Sequence, residues 1–121
     1  MVFVNTGSKL EPSGSLSSQK VLLLLPPMNP LPHCVYVLFS HKDHLMYIGY
    51  TSNVQNRIQK HNEGGSKSTA PRRPLELIFS EYYLFKEDTL KREEYFKTNA
   101  GKKALRIMLN ATLLRLGYKK I

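Results

Sequence analysis

The chain has 121 residues, 41% hydrophobic and 22% charged, which suits one domain with a modest core and excludes a wholly disordered chain. Its 18 Lys and Arg outweigh 9 Asp and Glu to give a net charge of +9, an excess that draws polyanions such as nucleic acid or an acidic membrane surface. The single cysteine, Cys34, excludes an internal disulfide, and no apolar run approaches the ~20 residues of a membrane span, so a reducing, cytoplasmic setting without a membrane partner is expected.

Residues 1–33 read as a poorly ordered lead. Ser, Gly and Pro are frequent there, and Pro26, Pro27, Pro30 and Pro32 oppose regular structure near its end. The apolar run Val21–Leu25 is five residues long, shorter than the ~7–15 of a signal-peptide core. Met28 offers an alternative start for the natural protein. Lys9, Lys20 and Glu11 give the lead a net charge of +1, which leaves +8 for residues 34–121. The charge therefore belongs to the part expected to fold.

From Cys34 the pattern sharpens. Cys34–Phe39 and Leu45–Thr51 are β-rich runs joined by a polar segment, which predicts a hairpin. Ser52 with Gln55 three residues later predicts a capping box opening a helix, with Val54 and Ile58 as its apolar stripe and Gly64-Gly65 as its stop. A basic loop, 66–74, leads to a third strand over Leu75–Leu84. A second helix is expected from Glu87 to about Thr98, and a third from about Lys102 to Leu116 with Leu105, Met108, Leu109, Thr112, Leu113 and Leu116 on one stripe. The order β-β-α-β-α-α opposes a doubly wound parallel sheet and predicts an α+β fold, a small three-stranded antiparallel sheet flanked by helices.

Several side chains break these patterns in ways that suggest chemistry. At ~100° per residue, Thr89, Phe96 and Ala100 fall on one line of the second helix with Leu90 about 120° round from Phe96; Glu93 points between them, toward the body of the protein, and Glu94 falls toward solvent. An inward carboxylate costs on the order of several kcal/mol unless a cation or a partner meets it. The bland alternative is an ion pair with Lys97 at i+4. Arg57 and His61 lie one turn apart on the first helix. Arg57 suits a phosphate, and His61 suits an oxyanion or a proton transfer near neutral pH. Tyr36 and Tyr47 occupy adjacent strands and converge if they share a face; each read alone is more simply a core-edge tyrosine. Gly49 suggests close approach of another group. Cys34, His41, His44 and His61 include no CxxC pair, so a zinc centre is disfavoured.

From Cys34 to Lys103 the chain resembles the GIY-YIG endonuclease superfamily, in particular small single-domain bacterial members similar to the amino-terminal catalytic module of excinuclease C. Tyr47-Ile48-Gly49 is a complete second motif. Cys34-Val35-Tyr36 stands where Gly-Ile-Tyr would be and keeps the tyrosine. Tyr50-Thr51-Ser52, Arg57-x-x-x-His61-Asn62, Lys67-Ser68-Thr69-x-x-Arg72-Arg73-Pro74 and Lys91-Arg92-Glu93 with Lys97-Thr98 follow in order.

The resemblance implies a Mg²⁺- or Mn²⁺-dependent endonuclease that hydrolyses DNA phosphodiester bonds, in DNA repair or recombination. It makes Glu93 the metal ligand, Tyr36 the phenol nearest the attacking water, and Tyr47 its partner. Arg57 would hold the scissile phosphate, His61 would assist proton transfer or orient Tyr36, and Gly49 would be structural. A family asparagine has two candidates, Asn99 and Asn110. Lys67, Arg72, Arg73, Lys102, Lys103 and Arg106 would line the DNA backbone. A protein partner supplying specificity fits a chain with no separate specificity domain. The rival expectation is a DNA-binding module without turnover.

Overall fold

A computed structural model of the protein describes residues 31–119; nearly all of the expected lead, with Met28, lies outside them. Strand β1 (His33–Ser40) takes in the lead's last residue, and β2 (Met46–Thr51) follows it. Helix α1 (Val54–Asn62), a 3-10 turn over Ala70–Arg72, β3 (Leu75–Tyr83), α2 (Lys86–Lys97), α3 (Asn99–Met108) and α4 (Asn110–Leu116) complete the chain.

The sheet is antiparallel in the order β2-β1-β3. The central position of β1 explains its composition. It is covered on both faces, so Cys34 to Phe39 form an unbroken apolar run, none more than 1% exposed, in place of an alternating pattern. On one face Val35 and Val37 meet Ile48, Phe96 and Leu105, with Phe79 and Leu109 packed alongside. On the other, Cys34, Tyr36, Leu38 and Leu75 pack under Val54 and Ile58 of α1. A register shift between Val37 and Leu38 bulges the β1–β3 pairing.

The expected α+β fold is present, with three adjustments to its elements. Helix α1 opens after Asn53, and no Ser52–Gln55 capping box forms. Thr51 Oγ1 accepts from Asn53 N (3.0 Å), which turns the chain so that the Asn53 side chain accepts from Asn56 N (3.1 Å). The helix stops as expected, with Gly64 at φ +82.

The third predicted helix begins early, because Thr98 Oγ1 accepts from Gly101 N at 3.0 Å and caps α3. It then breaks at Leu109, whose φ and ψ are −107 and 26. Ala100 consequently lies on α3 and is exposed, not on the inward line of α2, and Met108 is exposed too. The third strand ends at Tyr83, which leaves Leu84 outside it and exposed.

Candidate active site

The strand register decides whether the two tyrosines meet. Tyr36 pairs with Gly49 and Leu38 with Tyr47, so Tyr36, Tyr47 and Gly49 share the face that α1 covers. The rings of Tyr36 and Tyr47 are diagonal neighbours with centroids 6.4 Å apart. Helix α1 lies over them and delivers Arg57 and His61 from one turn of its surface. The His61 ring lies edge-on to both phenols, at 5.7 Å from Tyr36 and 5.3 Å from Tyr47.

Tyr36 Oη stands at the centre of the contacts. It lies 2.8 Å from His61 Nε2 and accepts from Arg57 Nε at 3.3 Å. Tyr36 and His61 are both fully buried. Tyr47 and Arg57 are half-buried, so they form the outer part of the cluster. Tyr47 and Arg57 therefore stand nearer the surface of the cluster than Tyr36.

Burial sets the ionisation of the inner pair. It pushes the Tyr36 phenol above its ordinary value; the Arg57 bond opposes this, and the nearby Tyr47 and Glu93 add to it. Burial, helped by the Arg57 charge, holds His61 below the ordinary imidazole value. The Tyr36 hydrogen bond in turn keeps Arg57 firmly charged, with Tyr47 contributing. The resting cluster is thus a neutral phenol, a neutral imidazole and a permanent cation.

Glu93 comes from the opposite side of the sheet. Helix α2 packs across β1 and β2, and the Glu93 side chain is 18% exposed, while Glu94 faces solvent. Its charge is felt at Tyr36. The plain pairing is also present, since Glu93 Oε2 lies 3.2 Å from Lys97 Nζ. Among the described residues, no three His, Cys, Asp or Glu side chains gather as a protein-built metal cage would require. Asn99 and Asn110, at the starts of α3 and α4, are both exposed.

The basic residues divide into free and engaged groups. Lys67, Lys102 and Lys103 are exposed, and Arg106 is half-buried. Arg73 is exposed, with its Nε donating to Ala70 O at 2.8 Å. Arg72, expected along the DNA backbone, is instead committed to the fold. Its Nε and Nη2 donate to Asp43 at 2.5 and 3.2 Å, and Nη2 also reaches Met46 O at 3.3 Å. This fork fastens the β1–β2 turn to the 3-10 turn.

One polar contributor escaped the sequence reading. Thr69 is fully buried, and its Oγ1 lies 2.7 Å from His61 Nδ1. Thr69 stands in the Lys67-Ser68-Thr69 run that the resemblance includes, but that run does not show that one hydroxyl turns inward.

A three-stranded antiparallel sheet flanked by helices is a nuclease-like fold, and on one face it gathers two phenols, an arginine and a histidine, with Glu93 carried by the helix across the sheet. The GIY-YIG catalytic domain family matches residues 32–106, and the chain belongs to that family. UPF0213 proteins of Staphylococcus aureus strains Mu3, Mu50 and N315 are each 42% identical to it over 77 residues, covering 63% of this chain and 93% of theirs. No solved structure matches the chain. Among the described residues, no helix is long and apolar enough to cross a membrane.

Proposed function

We propose that this chain binds DNA across the Tyr47–Arg57 side of the sheet and hydrolyses a phosphodiester bond there with a divalent cation. The observation that carries the reading is the convergence of Tyr36, Tyr47, Arg57 and His61 on one face of the sheet, with Tyr36 Oη in contact with both His61 and Arg57 and the Tyr47 ring alongside. Arg57, charged and half-buried, grips the scissile phosphate and offsets charge developing on its oxygens. Tyr36 takes the proton of the attacking water as it passes its own phenolic proton to Nε2 of the neutral His61 imidazole, with Tyr47 on the outer side of the cluster. Lys67, Arg73, Lys102, Lys103 and Arg106 supply sequence-independent affinity for the duplex backbone.

Glu93 would hold the cation. One carboxylate fits Mg²⁺ or Mn²⁺ bound largely through water and substrate phosphate, and does not fit a dedicated protein cage. When bound, the ion supplies polarisation of a phosphoryl oxygen. The chemistry suits DNA repair or recombination in the cytoplasm, with specificity lent by a protein partner.

The second reading, DNA binding without turnover, has its own support. Binding needs only the basic surface and the fold. Turnover needs in addition a metal at a lone glutamate already paired with Lys97, and access to a phenol that is fully buried. Purified protein incubated with linear, flapped and four-way DNA, in Mg²⁺ and in chelator, separates the two. Metal-dependent product that disappears in Glu93→Ala supports hydrolysis. Retention without product supports the binding module, and cleavage by Glu93→Ala overturns the metal assignment.

A further inference from the structure

We propose that Thr69 is a positioning residue that sets the tautomer of His61: it accepts a hydrogen bond from Nδ1–H and thereby leaves Nε2 bare toward the Tyr36 hydroxyl. The contribution to catalysis rests on the nuclease reading; the tautomer does not.

The Thr69 hydroxyl is placed for this task alone. Thr69 precedes the 3-10 turn Ala70–Arg72, a position where threonine ordinarily spends its hydroxyl on a free backbone N–H. Here the side chain makes no such cap, and among the described residues the partner of Oγ1 is His61 Nδ1 at 2.7 Å. The backbone holds the hydroxyl still. Thr69 N donates to Ser66 O at 3.2 Å, and Thr69 O accepts from Arg72 N at 2.8 Å. The residue is completely buried, so water does not compete for the bond.

The direction of the bond follows from the other end of the ring. Tyr36 Oη accepts from Arg57 Nε, and its own proton needs an acceptor; among the described residues the one in reach is His61 Nε2. In the reverse tautomer, Nε2–H and Arg57 would both donate to Tyr36 Oη, and a buried phenolic proton would have no partner. The proposed tautomer leaves over the Thr69 alcohol proton instead. The alcohol is the weaker acid and its proton can swing about the Cβ–Oγ1 bond while the oxygen stays in place, so it loses less by going unpaired. A neutral imidazole therefore donates to Thr69 and accepts from Tyr36. This is the arrangement in which a third group orients a base.

The test uses the full chain and two variants. Thr69→Val keeps shape and removes the acceptor; Thr69→Ser keeps the hydroxyl. In metal-free, DNA-free protein, ¹⁵N shifts of the His61 ring should show protonated Nδ1 and bare Nε2 for wild type and Thr69→Ser. Thr69→Val should move the ring toward the Nε2–H form. With DNA and Mg²⁺, Thr69→Val should lose at least ~10-fold in kcat at unchanged KM, and Thr69→Ser should recover most of it. A wild-type ring protonated at Nε2 overturns the proposal even if Thr69→Val does not fold. So does a Val variant that keeps Nδ1–H, or one that changes tautomer at full kcat. A wild-type protein that cuts nothing overturns the nuclease reading, while the ring shifts still decide the tautomer.

Discussion

Gly49 leaves open the space that the end of the Tyr36 ring occupies. A Cβ on residue 49 would stand 2.5 Å from Tyr36 Cζ and 2.9 Å from Cε2, closer than real side chains approach. The ring has little freedom to retreat, since Arg57 and His61 hold its hydroxyl and the residue is wholly buried. Gly49→Ala should therefore overpack the site, at a cost of about 1–3 kcal/mol. For a domain of this size that lowers the melting temperature by roughly 4–8 °C per kcal/mol. Thermal denaturation followed by circular dichroism measures it; an unchanged midpoint would mean that the strand yields at no cost.

Tyr36→Phe tests the hydroxyl without disturbing the ring. It removes the partner of His61 Nε2 and of Arg57 Nε but keeps the packing against Tyr47. Cleavage should fall by at least ~100-fold if the phenol handles the water's proton. Affinity for duplex DNA should change little, because the exposed lysines and Arg73 carry it. Single-turnover cleavage alongside a gel-shift titration gives both quantities. A variant that still cuts at the wild-type rate removes Tyr36 from the chemistry.

Much of this architecture was legible in the sequence because it is local. The hairpin runs, the Gly64 stop of α1 and the Arg57–His61 spacing each depend on neighbours a few residues away. The shared face of Tyr36 and Tyr47 was conditional, because a register shifted by one residue would have sent one of them to the other side. What stayed hidden was long-range or unmarked. Leu109 breaks the last helix with neither Pro nor Gly to announce it. Arg72 reads as one more cation in a basic loop, and only the turn at Asp43, folded back from 29 positions earlier, shows that its Nε and Nη2 are already bonded. Thr69 is hidden for the same reason, since its partner is set by how the loop returns under α1.

That difference between Arg72 and its neighbours is measurable. Arg72→Ala should leave the salt dependence of DNA binding close to wild type and cost stability. It strips Asp43 of its bidentate partner, for a loss of about 1–2 kcal/mol once solvent screening of a partly exposed pair is allowed for. Lys67→Ala and Lys103→Ala should do the reverse, each reducing the slope of log affinity against log salt by about one with little change in stability. Binding titrations at several salt concentrations, paired with urea unfolding, distinguish the groups. A reduced slope in Arg72→Ala would return it to the DNA surface.

The pH dependence of stability isolates His61. Burial, with the Arg57 charge, depresses its folded pKa below the ordinary 6.5, so below that value the unfolded chain takes up a proton that the folded protein refuses. The unfolded state then binds more protons, and stability falls as pH falls from 6.5 toward the folded pKa; above 6.5 the contribution is fully retained. Asp43 and Glu81 are separated from this window. Burial opposes their charge, but Arg72 and Arg92 hold both pKa values low, so their losses begin only below the ordinary 3.8 and 4.5. Urea midpoints taken from about pH 7.5 to 5 should therefore decline for the wild-type protein. In His61→Gln the overall stability should be lower and the decline in that interval shallower. If the two proteins lose stability in parallel over that interval, His61 is not the group that resists protonation, and the neutral imidazole facing Tyr36 would have to be abandoned.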